Sequence, residues 1–129
     1  KGYTYSIGSY IGNLRHTGFI TIASEVGVDV TKQTLAEIQK EFEILRQEKT
    51  SEDEIGLVRN YMQGMLLGSL ESIFSHVDKF KAVYFSGLDN DYYSYYSDVI
   101  KNMDASKVQD IAIRYFDYDK LFKVVVGKI

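Results

Sequence analysis

Two histidines, eleven tyrosines and no cysteine bound the chemistry open to this chain. Without cysteine there is no thiolate nucleophile, no thiolate metal site and no disulfide framework. A helical zinc centre needs two histidines four residues apart, so that both ring nitrogens reach one ion, with a carboxylate beside them. His16 and His76 fall on different elements, and neither lies in an H-x-x-E-H pattern. His16, in a polar loop with Arg15, reads as solvated. His76, followed by Val77 and Asp78, reads as a surface or half-buried helix residue. Neither has the setting of a partner to a serine nucleophile. No metal ligand and no catalytic residue is expected in this chain.

The tyrosines are a different resource, because each combines apolar area with a polar tip. Tyr92, Tyr93, Tyr95 and Tyr96 cluster behind an acidic stretch. Helical spacing puts Tyr92 and Tyr96 on one face and Tyr93 on another, so at least one is expected to be exposed. The cluster reads either as a partner surface or as core packing with a rim.

The elements that must position these residues follow from periodicity. Tyr3, Tyr5, Ile7, Ser9 and Ile11 alternate with Thr4, Ser6, Gly8 and Tyr10, which predicts a strand. Gly12-Asn13 breaks it, and Gly18-Phe19-Ile20-Thr21-Ile22-Ala23 resumes it, predicting an antiparallel hairpin around loop residues 13–17. Thr31 then reads as the cap of a helix with Leu35, Ile38, Phe42 and Leu45 inward and Glu37, Lys40, Glu41 and Glu48 in water. Ser51 and Glu54 form a capping-box pattern ahead of a helix expected to bury Ile55, Val58, Met62, Met65, Leu66 and Leu70. Gly56, Gly64 and Gly68 within it suggest close approach of another element, since glycine inside a helix costs up to ~1 kcal/mol. A third helix, from Glu71-Ser72 to Gly87, carries Ile73, Val77, Phe80, Val83 and Tyr84 on one side.

Asp89-Asn90-Asp91 is expected to cap a short helix with Tyr92, Tyr96, Val99 and Ile100. Asp104 caps another, with Val108, Ile111, Ala112 and Tyr115 inward. Leu121-Phe122-Lys123-Val124-Val125-Val126-Gly127 reads as a final strand, paired either with the first strands or with strands outside this chain. The predicted fold class is α+β, an antiparallel sheet of hairpin plus C-terminal strand covered by four or five helices.

Residues 1–129 are long enough for one domain at most. A net charge of −3 with interspersed signs, and lysines such as Lys120, Lys123 and Lys128 scattered among apolar residues, argue against a nucleic-acid surface. No apolar run approaches the ~20 residues of a membrane span. Lys1-Gly2-Tyr3 opens within a strand pattern, with no initiator methionine or signal peptide, and reads as a cut end or, alternatively, as a trimmed mature N-terminus.

The ordered set of segments resembles the insulinase-like (pitrilysin-type) zinc metallopeptidases. Lys1-Gly2-Tyr3-Thr4-Tyr5-Ser6 is similar to that family's (R)-G-L-x-Y-x opening, and Gly18-Phe19-Ile20-Thr21-Ile22 to its G-x-F-x-I strand. Glu41 to Leu45 is similar to its E-x-x-x-L helix end, and residues 50–55 to its next helix start. Ile100, Met103, Asp104, Val108, Ala112 and Tyr115 match a later helix, and Val124-Val125-Val126-Gly127 the closing strand. No single motif is specific; the order across the whole chain carries the resemblance.

The resemblance implies a C-terminal, non-catalytic domain, incomplete at its N-terminus. Zinc, held by H-x-x-E-H and a distant glutamate, is then expected in the parent protein or a partner, with none bound here. The non-catalytic half of that family supplies an arginine and a tyrosine, R-x6-Y, that contact the substrate backbone. Tyr5 matches the tyrosine; the arginine would precede Lys1. A tyrosine hydroxyl donates to a peptide carbonyl or to the oxyanion formed on attack by water. The competing reading of Tyr5 is a strand residue packed with Tyr3 and Ile7 against a helix.

The expected function is the substrate-positioning portion of an oligopeptide-cleaving zinc peptidase, inactive alone. The alternative is a structural or scaffolding subunit of a peptidase-like complex without proteolysis. A third reading is an unrelated α+β binding module using the tyrosine cluster. Expected partners are a peptide substrate, a catalytic half, and a second copy or partner subunit, because incompleteness leaves unpaired strand edges and apolar surface.

Overall fold

In the computed structural model the described residues are 1–14, 16–89 and 91–127. The roles expected for Arg15 in the hairpin loop, Asn90 in a cap and Lys128 fall outside them. The fold is α+β: strands β1 (Thr4–Leu14) and β2 (Thr17–Val26), then helices α1 (Thr31–Gln47), α2 (Glu52–Gly68), α3 (Ile73–Phe85), α4 (Tyr92–Lys101) and α5 (Ala105–Tyr115). Two units divide the chain, Lys1–Ile44 with Phe116–Ile129, and Leu45–Tyr115.

In the first unit β1 and β2 form an antiparallel hairpin, paired from Thr4↔Val26 to Leu14↔Thr17. Cross-strand partners share a face, so Ile7, Ile11, Ile20 and Ile22 line one side. Gly12 pairs with Phe19 on the other side, and the Phe19 ring covers the glycine. Tyr10 meets Phe19 edge to face at 6.5 Å between centroids. Within this unit the expected helix cover is not seen: Ile7, Ile11, Tyr10, Phe19 and Leu14 are exposed.

The C-terminal strand is a second correction. A short 3₁₀ turn, Tyr118–Lys120, replaces any direct run into the sheet, and residues 121–126 join no ladder. Strand composition alone does not make a strand, since an extended segment is stabilised by the neighbour it pairs with. What holds this part of the unit is aromatic. Phe42 of α1 lies 4.9 Å from Phe116 and edge to face with Tyr118 at 6.1 Å. The Tyr118 hydroxyl donates to the Leu35 carbonyl at 3.1 Å. Thr31 does not cap α1. Its hydroxyl donates backwards to the Gly27 carbonyl, because a 3₁₀ turn, Val28–Val30, already precedes the helix. Glu37, expected in water, pairs with Lys1 there; that contact raises the lysine pKa and lowers the carboxylate's.

In the second unit the capping chemistry follows the sequence closely. Ser51 Oγ accepts from the Glu54 amide at 3.2 Å, and Ser72 Oγ from the Ser75 amide at 3.1 Å. Asp104 Oδ1 accepts from the Lys107 amide at 2.9 Å. Helix α3 closes as a Schellman motif, with Gly87 N–H to Tyr84 O and Leu88 N–H to Val83 O, Gly87 at φ +69. Asp91 caps α4 without a side-chain bond, while Asp89 Oδ1 accepts from the Asp91 amide.

The inward faces are thinner than periodicity predicts. Ile55, Val83, Ile100, Ala105 and Ala112 are buried, but Val58, Met62, Met65, Ile73, Val77, Phe80, Tyr84, Ile111 and Tyr115 are exposed. Periodicity reports which residues share a face, not whether anything covers it. Gly56, Gly64 and Gly68 mark no tight packing either: a β-carbon at each would meet nothing within 4 Å. At the end of α1, Gln109 Nε2 donates to the Arg46 carbonyl at 3.2 Å, and Lys49 Nζ to Ser106 Oγ at 3.1 Å.

Candidate functional site

Tyr5 sits in an irregularity that the sequence pattern conceals. Thr4 pairs with Val26 and Ile7 with Ser24, so β1 spends three steps where β2 spends two. One extra residue is therefore inserted at Tyr5-Ser6, a β-bulge. The insertion slips the alternation by one position, and Thr4, rather than Tyr5, shares the face of Ile7 and Ser24.

Thr4 holds the bulge in place. Its Oγ1 lies 2.6 Å from the Ser6 carbonyl and 2.8 Å from the Glu25 carbonyl, and its single proton serves one of them at a time. The same oxygen accepts from the Ser6 amide at 3.1 Å and the Ser24 hydroxyl at 2.8 Å. Ser24 Oγ also reaches the Ser6 carbonyl at 3.0 Å. The strand's polar groups are thus satisfied around Tyr5 without using it. Bulges re-aim side chains in this way, and they concentrate at functional edges.

The Tyr5 side chain is 104% exposed, and its hydroxyl has no hydrogen-bond partner among the described residues. Packing with Tyr3 and Ile7 against a helix is therefore excluded in this structure. What remains is a phenol on a strand held by side-chain and main-chain bonds, free to donate to or accept from an incoming group.

The histidines are placed separately. His16 is exposed in the turn between the strands, and His76 is exposed on α3 with Nδ1 2.8 Å from the Ser72 carbonyl. Among the described residues no group of three His, Asp or Glu side chains is arranged to hold a metal ion. No described helix is long and apolar enough to cross a membrane.

The tyrosine cluster divides as helical spacing requires. Tyr92 and Tyr96 stack at 6.2 Å and 13°, Tyr93 meets Tyr92 edge to face, and Tyr95 points into solvent. Tyr93 and Tyr96 help line a shallow depression of about 340 Å³ with Tyr61, Met62, Met65 and Lys79. The Lys79 ammonium lies 4.8 Å from the Tyr93 ring centroid, and burial raises the Tyr93 phenol pKa. Sequence reasoning singled out the tyrosines but not Lys79 or Tyr61. Their convergence depends on how α2, α3 and α4 pack, and no local spacing announces it.

The chain matches no protein-family model, and no curated protein matches it.

Proposed function

We infer that this chain is the non-catalytic, substrate-positioning portion of an insulinase-like zinc peptidase that cleaves oligopeptides. The observation that carries this reading is the Tyr5 phenol, fully exposed and without a partner on a bulged strand whose own hydrogen bonds are met by Thr4 and Ser24. The ordered resemblance of segments along the chain supports the family. Tyr5 holds the position of the substrate-contacting tyrosine within it.

In this reading the phenol donates to a carbonyl of an extended peptide and, as attack proceeds, to the oxyanion that forms on it. The bulge keeps the hydroxyl clear of competing partners, so no internal bond must break before substrate is met. Zinc and the water it activates belong to the catalytic half, in the parent protein or a partner. This chain contributes orientation and one donor.

A second reading, a scaffolding subunit of a peptidase-like complex, is favoured by the apolar side chains left exposed on α2 and α3, Leu57, Phe74 and Phe85 among them. The two readings separate in a peptide-hydrolysis assay with the H-x-x-E-H-bearing half present. Substrate positioning predicts that Tyr5→Phe lowers kcat/KM by ~100-fold, with about tenfold of that loss in KM and the rest in kcat. A scaffold predicts no change in either.

A further inference from the structure

The segment after the Tyr118–Lys120 turn has the composition of a strand but joins no ladder. Leu121 is extended, with φ −75 and ψ 134. Beyond it the side chains alternate: Phe122, Val124 and Val126 are 99%, 83% and 93% exposed, while Val125 is at 42% and Leu121 is half-buried. On the less exposed side, Lys123 places its ammonium 3.8 Å from the Tyr118 ring centroid. One face is thus wholly apolar and bare, along a run of three valines. Such a run, without strand neighbours, is a template for pairing.

The same unit contains an edge that lacks a strand. The sheet has two strands, so the outer edge of β2 is unpaired among the described residues. The outer edge of β1 is interrupted by the bulge at Tyr5-Ser6, whereas β2 runs without an inserted residue. A regular edge accepts a partner strand more readily than a bulged one.

We propose that two copies of this chain associate by exchanging their C-terminal segments, residues 121–126 of each adding as a third strand to the free β2 edge of the other. A second copy is the occupant because the unpaired strand and the edge lacking one belong to the same chain. A two-fold exchange therefore satisfies both at once with two equivalent contacts. A net charge of −3 offers little repulsion to the pairing. Nothing in this association depends on the peptide contact assigned to Tyr5, so either stands without the other.

Sedimentation equilibrium of the full chain, across low to high micromolar concentration, tests it. The expected result is a species of twice the chain mass. The double variant Val124→Lys/Val126→Lys weakens association by ~30-fold or more, with an unchanged far-ultraviolet circular dichroism spectrum. Phe74→Lys, on the exposed face of α3, leaves the dimer intact. A wild-type chain that is monomeric throughout, as closure of the tail onto its own hairpin would give, overturns the proposal. So does a double variant that stays dimeric, or an assembly without fixed stoichiometry that forms only alone or only with a different polypeptide.

Discussion

Phe19 lays its ring across Gly12 on the opposite strand, so closely that a β-carbon at Gly12 would collide with the ring's Cζ. The aromatic covers backbone that a glycine leaves bare, a device that fixes register in strands with little else to pack against. Gly12→Ala should therefore displace the ring and destabilise the protein by about 1 kcal/mol. In a Phe19→Leu background the same substitution should be neutral or mildly stabilising. A double-mutant cycle by urea denaturation checks the pair, and additive effects would show that the ring does not depend on the glycine.

Gly64 presents the opposite case. It lies inside α2, and a β-carbon there meets nothing within 4 Å. Gly64→Ala should stabilise by about 0.5–1 kcal/mol, through helix propensity and a less flexible unfolded chain. The denaturation midpoint reads this directly; a loss of stability would mean a neighbour occupies that face.

Tyr118 anchors the chain after α5 to α1 through its hydroxyl bond to the Leu35 carbonyl. Tyr118→Phe should cost about 1 kcal/mol, the net value of such a bond, while keeping the ring against Phe42. Hydrogen exchange should quicken at amides near Leu35 and Phe116 more than in α3.

Asp104 gives a pH dependence with a defined sign. Its carboxylate accepts from the Lys107 amide first, and a hydrogen bond from the lysine side chain adds to this, lowering the pKa below the usual 3.8. A depressed carboxylate pKa stabilises the fold fully above the unfolded value, and that contribution is lost as pH falls through the folded value. Asp104→Asn keeps a capping side chain but not the charge. The variant should be less stable than wild type near neutral pH, and the difference should vanish well below pH ~3.8. A difference that is constant across that range would assign the effect to geometry rather than charge.

Thr31 apart, the caps and turns were legible because their causes are local. Ser51, Ser72, Gly87 and Asp104 each act within a few residues. The α+β class and the hairpin followed from period and composition. The strand expected at residues 121–127 did not form, because a ladder needs a partner that periodicity does not report. The faces of α2 and α3 failed for the same reason: Met65 and Phe80 are correctly phased but nothing covers them. Tyr5 was named from the sequence, yet its face was misread. A bulge inserts one residue without altering the apolar-polar alternation, and only the pairing of Thr4 with Val26 and Ile7 with Ser24 reveals it.

The central claim is that Tyr5 contacts an extended peptide which this chain does not itself cut. The direct measurement is a titration of the isotopically labelled chain with an unstructured oligopeptide, followed by NMR, with mass spectrometry of the peptide afterwards. The account predicts shifts centred on β1 around Tyr5, an affinity weakened about tenfold by Tyr5→Phe, and an intact peptide whether or not zinc is added. Binding indifferent to the loss of the hydroxyl, or cleavage by the chain alone, would contradict it.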